Sequence, residues 1–255
     1  MYSFSSRVRY SEVDERGTLS PAALLSYLQD GALFQSEALG VGVSHANEVG
    51  RRWLLAAWEV RIAELPRFAD EIVVSTWATS FKGLFAHRNF TLDRAGERLV
   101  SADSLWFMYD DKTGRPMRPP AEEIAPYEAD LRAVPLDMPP VQRRIDRPGE
   151  GVPMPPVAVT QAYIDTNHHV NNAQYVNIAL GALSEAAPAS GGAALQSGAV
   201  PACQFGPLRR LDVQYCTAAR LGDTIYPRIH PLDDGWVVDL ADEGESSYAV
   251  VRLGF

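Results

Sequence analysis

Tyr163-Ile-Asp-Thr-Asn-His-His-Val-Asn-Asn-Ala-Gln-Tyr-Val-Asn177 is the stretch of the sequence on which both fold and function depend. It places a carboxylate, an amide and an imidazole close together, at Asp165, Asn167 and His169. The alternating run before it, from Val157 to Tyr163, predicts an extended segment. The apolar residues after it recur at the spacing of an amphipathic helix: Val176, Ala179, Leu180 and Leu183. The three polar groups are therefore predicted on a strand-to-helix connection.

The start of that helix is marked by its capping residues. Asn171 is a favourable N-cap, and Gln174 stands where the reciprocal partner of a capping box belongs, so the helix is predicted to begin at Asn171 or Asn172. The free N–H groups and the dipole of a helix N-terminus favour negative charge that develops nearby. A base beside this terminus is therefore well placed for chemistry in which negative charge develops.

Composition limits the classes of protein to which this stretch can belong. A chain of 255 residues with 46% hydrophobic content can bury one large core or two cores of about 120 residues each. No apolar run approaches the roughly 20 residues that cross a bilayer, and the first residues lack the apolar core of a signal peptide. The sequence predicts a cytoplasmic protein without a membrane association.

Charge and cysteine usage exclude further classes. The net charge of −9 argues against general binding of nucleic acid. The two cysteines, Cys203 and Cys216, have no metal-ligand spacing, and they do not suggest a disulfide framework. His45, His87 and His230 are scattered along the chain, and no two histidines share a face at ligand spacing. We expect no metal and no cofactor.

Two halves with the same order of elements follow from the pattern of apolar residues and turns. The first half, 1–110, predicts a short strand, a helix opened by Ser20-Pro21 and four strands. A proline-rich segment, 111–156, is predicted as the linker. The second half, 157–255, repeats the order and contains an Ala/Gly/Ser-rich loop from Ala187 to Gly198. The predicted strands are Phe4–Tyr10, Trp53–Ile62, Glu71–Phe81, Ala86–Asp93, Leu99–Asp110, Leu208–Thr217, Thr224–His230, Trp236–Ala241 and Ser247–Phe255.

The halves also align residue by residue. At an offset of 151, Asp14 falls on Asp165 and Ser20 falls on Asn171, so the two helix caps coincide. At an offset of 153, the segment 67–70 falls on the segment 220–223. Two ungapped matches at nearly equal offsets indicate an internal duplication. A unit of one helix and about five strands buries its helix against its own curved antiparallel sheet.

This arrangement resembles the tandem hotdog fold, and the motif within it resembles the acyl-ACP thioesterase family of plants and bacteria. Asp165-Thr-Asn-His-His-Val-Asn-Asn172 with Tyr175 is similar to the D-x-N-x-H-V-N-N-x-x-Y signature of that family. Tyr215 with Gly222-Asp223, and the segment 58–76, add to the resemblance, which covers nearly the whole chain. It implies an α+β fold in which two antiparallel sheets, each wrapped on a long helix, form a continuous sheet.

The resemblance implies an activity and a site. The protein is expected to hydrolyse the thioester between a fatty acyl chain and acyl carrier protein (ACP), with Asp165, Asn167 and His169 as catalytic residues. His169 can accept a proton from water at neutral pH, and Asn167 can donate to the oxyanion or hold the water. Asp165 is either the base itself or the group that sets the imidazole tautomer. The residues expected to bind substrate are Asn171, Asn172, Tyr175, Trp58 and Trp77.

The first half carries Asp14-Glu-Arg-Gly-Thr18 where the second carries the signature, so its site is degenerate, and by family analogy this half forms the acyl pocket. One departure concerns the second half. The family places a glutamate, and in plants then a cysteine, at the positions of Ala218 and Ala219. Cys216 should point away from Tyr215 on a strand, so direct attack by water is expected rather than a cysteine nucleophile.

The expected partner is ACP, and a homodimer is also allowed. ACP is acidic, so an acidic thioesterase must present a local positive surface to it. The candidate clusters are Arg51-Arg52, Arg115 with Arg118, Arg143-Arg144 with Arg147, and Arg209-Arg210. Two alternatives remain open from the sequence: an acyl-CoA thioesterase that uses the same site, and a non-catalytic hotdog protein that binds acyl groups or ACP.

Overall fold

The computed structural model describes residues 1–186 and 206–255. The chain divides into two compact units, Met1–Arg143 and Arg144–Phe255, which we call unit 1 and unit 2. The predicted loop Ala187–Gly198 and Cys203 lie outside the described residues. Within the described residues, no helix has both the length and the apolar character needed to cross a bilayer.

Unit 1 is an antiparallel sheet that carries one long helix. Its strands run in the order β1-β3-β4-β5-β2, and β6 pairs with the end of β5. In chain order the elements are β1 Tyr2–Arg7, α1 Pro21–Ala38, α2 Val43–Val49, β2 Arg51–Ile62, β3 Glu71–Lys82, β4 Phe85–Arg94, β5 Glu97–Asp110, β6 Arg115–Met117 and α3 Ala121–Ile124.

Helix α1 begins where its cap residues predicted. The Ser20 hydroxyl accepts a hydrogen bond from Ala23 N at 3.2 Å, and Pro21 occupies the first turn. The apolar face of α1, with Leu24 and Leu28, is fully buried and packs on the sheet. The prediction missed α2, because a helix of seven residues is too short to show an apolar period.

The proline-rich segment folds onto unit 1 along much of its length. The carboxylate of Asp130, which is buried, accepts hydrogen bonds from Gln35 Nε2 on α1 at 2.8 Å and from Ala78 N on β3 at 3.0 Å. Further along, Val141 N donates to Asp103 on β5 at 3.0 Å. Residues up to 143 therefore belong to unit 1, and the boundary between the units falls inside the segment 111–156.

Unit 2 repeats the plan of unit 1 with shorter strands. Its elements are β7 Val152–Pro153, β8 Val157–Ala158, α4 Asn172–Ala186, β9 Arg210–Tyr215, β10 Thr224–Leu232, β11 Gly235–Ala241 and β12 Ser247–Gly254. The strand order is β9-β12-β11-β10-β7, β8 also pairs with β10, and every pairing is antiparallel. Helix α4 packs on β10, β11 and β12.

One local prediction in unit 2 was wrong. The alternating run from Val157 to Tyr163 was expected to be a strand, but only β8 is extended, and a 3-10 turn follows at Gln161–Tyr163. In this turn Tyr163 N donates to the carbonyl of Thr160 at 3.1 Å. Alternation of apolar residues fits either structure over so few residues, and the local hydrogen bond decided between them. The motif therefore follows a turn rather than a strand.

Candidate active site

The motif forms a tight loop between the 3-10 turn and α4. Asp165 N donates to the carbonyl of His169 at 2.9 Å, and His168 N donates to the carbonyl of Asp165 at 3.0 Å. A β-bridge between Ile164 and Val170 closes the base of the loop. His168 has a left-handed backbone, with φ of 60°, which lets the chain reverse between Asn167 and His169.

Within this loop, the Asp165 carboxylate holds Asn167. Its Oδ1 accepts from Asn167 N at 2.8 Å, and its Oδ2 lies 3.5 Å from Asn167 Nδ2. The first contact is an Asx turn, which is the local structural role that aspartate commonly has in loops. The second contact, which is weak, orients the amide, so Asp165 positions the group expected to contact the substrate carbonyl.

The imidazole of His169 is favoured in its neutral form. Partial burial is the main cause that lowers the pKa of His169 below its ordinary value, and the positive charge of Arg220 adds to this effect. The negative charge of Asp165 opposes the change, and His168 supports it. A neutral imidazole at pH 7 can accept a proton, which is what a general base must do.

Sequence reasoning missed Arg220 as a member of the site. The duplication could have indicated it, because the segment 220–223 is one of the two segments that align between the halves. Arg220 directly follows Ala219, which is hydrogen-bonded to the motif. The carbonyl of Ala219 accepts from Val170 N at 2.9 Å, next to His169. The guanidinium of Arg220 is therefore carried by a segment that the backbone ties to the motif.

The side chains of the cap residues of α4 form hydrogen bonds within the start of the helix. Asn171 Oδ1 accepts from Ala173 N at 2.9 Å, so Asn171 is the N-cap and α4 begins at Asn172, as predicted. The predicted reciprocal capping box does not form, because the Gln174 side chain accepts from Asn177 Nδ2 at 3.0 Å instead. An exposed partner one helical turn ahead competed successfully for the glutamine.

Tyr175 ties the start of α4 to the segment after β9. Its hydroxyl accepts a hydrogen bond from Ala219 N at 2.9 Å, and burial raises the pKa of Tyr175 to about 12. The neighbouring Tyr215 donates from its hydroxyl to the Asn172 carbonyl at 3.2 Å. Two tyrosines thus brace the helix terminus beside the motif, and both hydroxyls stay protonated at neutral pH.

The segment after β9 lacks the reactive groups of the family pattern. Ala219 is fully buried, whereas Ala218 is exposed beside it, so the position of the family glutamate adjoins the motif but carries only a methyl group. Cys216 accepts from Gln214 Nε2 at 3.1 Å, and burial raises the pKa of its thiol. A raised pKa disfavours the thiolate that a cysteine nucleophile requires.

The two tryptophans expected to bind substrate are core residues of unit 1. Trp58 is 1% exposed and packs against Phe90, with ring centroids 4.9 Å apart, and Trp77 is also buried. Their indole N–H groups have no acceptor among the described residues. Within residues 1–186 and 206–255, no group of three His, Cys, Asp or Glu side chains could hold a metal ion.

The chain is similar to known acyl-ACP thioesterases in sequence. The family model described as the acyl-ACP thioesterase N-terminal domain matches residues 1–127. A chloroplastic acyl-[acyl-carrier-protein] hydrolase of Cuphea viscosissima is 27% identical over 182 residues, which are 66% of this chain and 43% of that protein. The chloroplastic dodecanoyl-[acyl-carrier-protein] hydrolase of Cinnamomum camphora is 24% identical, over 67% of this chain and 47% of that protein. These matches span less than half of each relative's length.

Solved structures extend the likeness of fold over the whole chain. An acyl-ACP thioesterase from Bacteroides thetaiotaomicron superposes with a TM-score of 0.84 and 22% identity, over 99% of this chain and 96% of that one. The 12:0-ACP thioesterase of Umbellularia californica gives 0.78 and 18%, over 99% and 96%. The α+β tandem hotdog class is therefore confirmed. The family model and the curated relatives show that the chain belongs to the acyl-ACP thioesterase family.

Proposed function

We propose that this protein hydrolyses fatty acyl-ACP thioesters to free fatty acid and ACP. The observation that carries the proposal is the motif loop, where Asp165 holds Asn167 by two contacts next to a neutral His169 at the start of α4. The relatives from Cuphea and Cinnamomum are named as acyl-ACP hydrolases, and their names supply the substrate class.

In the proposed mechanism His169 is the base. It removes a proton from a water molecule while the water oxygen attacks the thioester carbonyl carbon, a contribution of roughly 10²- to 10⁴-fold. The amide of Asn167 donates to the oxyanion that forms, and the positive end of the α4 dipole favours the negative charge. The tetrahedral intermediate then expels the pantetheine sulfur, which takes up the proton from His169. Asp165 is a positioning residue in this mechanism, because both of its oxygens face Asn167.

The neutral state of His169 suits this role. Burial and the positive charge of Arg220 both lower the pKa of His169, so its imidazole can accept a proton at neutral pH. The exposed Ala218 leaves room for water beside the motif, which agrees with direct attack by water. Two further assignments stay predictions. One is that unit 1 forms the acyl pocket, and the other is the set of substrate-binding residues: Asn171, Asn172, Tyr175, Trp58 and Trp77.

ACP is the proposed partner, and the ion pairs narrow its docking surface. Arg51 binds Glu122 and Glu123, and Arg52 binds Asp111, so this cluster has its charge neutralised. Two other candidate clusters each contain an arginine in an ion pair. Arg147 pairs with Asp239, and Arg210 pairs with Asp212. Among the described residues, Arg143 and Arg144 form no ion pair, but their cluster includes the paired Arg147. Arg115 with Arg118 is the candidate cluster in which neither described member is paired, and we propose it for docking. A cytoplasmic location and a homodimer stay predictions.

The proposal is tested by direct assay. Purified protein is incubated with acyl-ACP and with acyl-CoA of matched chain lengths, and free thiol release is measured for the wild type, His169→Ala and Asn167→Ala. His168→Asn is the matched control, since it removes the adjacent imidazole and asparagine tolerates the left-handed backbone at this position. We expect rapid hydrolysis of acyl-ACP by the wild type and by the control, and loss of it in the other two variants.

The same assay separates the two alternatives. Faster turnover of acyl-CoA than of acyl-ACP assigns the site to a CoA thioesterase. Stoichiometric binding of acyl-ACP without thiol release, unchanged by His169→Ala, assigns the chain to non-catalytic binding. The exposed methyl group of Ala218, where the family has a carboxylate, is the observation that keeps this second alternative in the test.

A further inference from the structure

Unit 1 contains a cavity of about 310 Å³ that the motif loop does not line. The cavity lies between the sheet and the proline-rich segment. Arg88 on β4 contacts Gln35 of α1, so the neighbouring residues His87 and Asn89 point to the opposite face of the sheet, away from α1. The lining residues of the cavity are Thr79, Ser80, His87, Asn89, Asp103, Pro135, Leu136, Met138 and Pro140.

A buried carboxylate organises the polar wall of this cavity. Asp103 is 4% exposed, and it accepts hydrogen bonds from His87 Nδ1 at 3.1 Å, from Asn89 Nδ2 at 3.0 Å and from Val141 N at 3.0 Å. An ionised carboxylate only accepts, so it fixes the proton of a neutral His87 ring on Nδ1. The other nitrogen, Nε2, then carries a lone pair. This is how an aspartate prepares a histidine to act as a base.

The cavity also places a hydroxyl beside that histidine. Ser80 on β3 is the direct cross-strand partner of His87 on β4, immediately after a bulge between Ala78 and Ser80. Direct cross-strand partners share a face of the sheet, with Cβ atoms about 4.5 to 5.5 Å apart. Bulges re-aim the side chains beside them, and the Ala78 N–H at this bulge is already used, since it donates to the Asp130 carboxylate.

Accessibility separates the carboxylate, which is buried, from the other two members, which both reach the cavity. Asp103 is buried, the side chain of His87 is 30% exposed, and Ser80 is partly exposed on the cavity wall. The three residues lie on the neighbouring strands β3, β4 and β5. Neighbouring strands therefore place a hydroxyl, an imidazole and a carboxylate along one wall of the cavity.

The remaining wall defines the class of substrate. Leu136, Met138 and two prolines supply an apolar rim, and among the described residues the lining includes no lysine or arginine to bind an anionic group. A buried carboxylate behind the histidine further disfavours an anion. The cavity volume of about 310 Å³ suits a small molecule rather than a long chain.

We propose that Ser80, His87 and Asp103 form a second nucleophilic centre, in which small uncharged carboxylic esters acylate Ser80. His87 Nε2 takes the hydroxyl proton while Ser80 Oγ bonds to the ester carbonyl carbon, and the proton passes to the alcohol that leaves. Water then attacks the acyl-serine with His87 as base, which releases the carboxylic acid and restores the serine. The centre belongs to unit 1 alone and does not depend on the proposed thioesterase function.

Covalent labelling tests the centre directly. The full-length protein is treated with a short-chain alkyl fluorophosphonate, and the adduct is located by peptide mass spectrometry. We expect one adduct, on Ser80, that is absent in Ser80→Ala. We also expect His87→Gln to slow labelling by roughly 10²-fold, because the variant lacks the base. Thr79→Ala is the matched control, since it removes a hydroxyl from the same cavity, and it should label at the wild-type rate.

A second readout separates this centre from the thioesterase site. Hydrolysis of p-nitrophenyl acetate should persist in His169→Ala and fall to the background rate in Ser80→Ala, whereas acyl-ACP hydrolysis should show the opposite pattern. Thermal unfolding of each variant checks the fold. An absent adduct, an adduct on another residue, or ester hydrolysis that survives Ser80→Ala in a folded protein would overturn the proposal.

Discussion

The two copies of one loop, at Asp14–Ser20 in unit 1 and at Asp165–Asn171 in unit 2, share a backbone but differ in their chemistry. In both, the N–H of the aspartate donates to the carbonyl four residues later, at 2.8 Å in the first loop and 2.9 Å in the second. In both, the carboxylate accepts from the backbone two residues later, at 3.0 Å and 2.8 Å. The duplication predicted at an offset of 151 is thereby confirmed.

The offset of 153 is supported by the segment that contacts each loop, which we call its partner segment: 66–70 in unit 1 and 219–223 in unit 2. Leu19 N donates to the Pro66 carbonyl in unit 1, and Val170 N donates to the Ala219 carbonyl in unit 2, at 2.8 Å and 2.9 Å. Both partner segments then turn through a residue of positive φ, Ala69 in the first and Gly222 in the second. Both units therefore have the same backbone framework around the loop, whichever side chains the loop carries.

The loops diverge where the reacting groups stand. In the first loop Thr18 Oγ1 donates to Asp14 Oδ1 at 3.0 Å, so the carboxylate is satisfied within the loop. His169 takes the place of that threonine, and Asn167 takes the place of Arg16. An exchange of two side chains on a shared backbone therefore converts a structural loop into one that presents an amide and a base. Equivalent carboxylates thus make the same turn in both loops, and only the second loop carries the amide and the imidazole of the proposed site.

The largest effect is expected when the proposed base, His169, is removed from the second loop and its counterpart, Thr18, from the first. His169→Ala should lower kcat/KM for acyl-ACP by roughly 10²- to 10⁴-fold, because general base catalysis contributes that much. Thr18→Ala should leave kcat/KM unchanged, since its hydroxyl serves only Asp14. Steady-state kinetics on both folded variants decide the matter. Equal losses in the two variants would show that the first loop takes part in the chemistry.

A second test concerns how each unit ties the helix to the partner segment. Ala219 N donates to the hydroxyl of Tyr175, whereas unit 1 has Leu24 and Pro66 at these positions, so both donor and acceptor are missing there together. Tyr175→Phe should lower the free energy of unfolding by about 1–3 kcal/mol, because it leaves a buried N–H without a partner.

Chemical denaturation measures this loss, and Tyr10→Phe is the control because Tyr10 is 80% exposed. A variant Tyr175→Phe that unfolds at the wild-type denaturant concentration would contradict the role assigned to the hydroxyl. This hydrogen bond would then not explain why unit 1 has Leu24 and Pro66 where unit 2 has Tyr175 and Ala219.

A third test asks whether the helix caps are equivalent. Ser20 Oγ accepts from Ala23 N, and Asn171 Oδ1 accepts from Ala173 N. Ser20→Ala and Asn171→Ala should each lower the free energy of unfolding by about 1 kcal/mol, as the loss of an N-cap does. Urea denaturation of the two variants provides the values. A markedly larger loss for one of them would mean that its cap has a further role that the duplication does not share.

The smallest expected effect is a displacement of the pH profile. Arg220→Gln removes a cation that disfavours protonation of His169, so the pKa of His169 should rise and the acid limb of kcat/KM should move to higher pH. Arg67→Gln, the counterpart in unit 1, should leave the profile in place. A limb that moves to lower pH, or that moves equally in both variants, would contradict the assignment of Arg220.

Much of the fold followed from local signals that are strong over short distances. The Ser20-Pro21 opening located α1, and Asn171 located α4, because a cap side chain bonds to N–H groups two or three residues away. The long strands β3, β4 and β5 were predicted to within a few residues. By contrast, the predicted capping box at Gln174 and the predicted strand through Tyr163 were wrong, because nearby donors and acceptors formed other hydrogen bonds.

The sequence by itself determined the duplication, the order of elements in each unit, and the motif with Asp165, Asn167 and His169, because these depend on residue identity and spacing along the chain. Only the tertiary structure decided that Arg220 acts on His169, and that Ser80, His87 and Asp103 meet at one cavity. The physical reason is distance along the chain. Contacts between strands and with the proline-rich segment join residues many positions apart, and no local period records which of them will face each other.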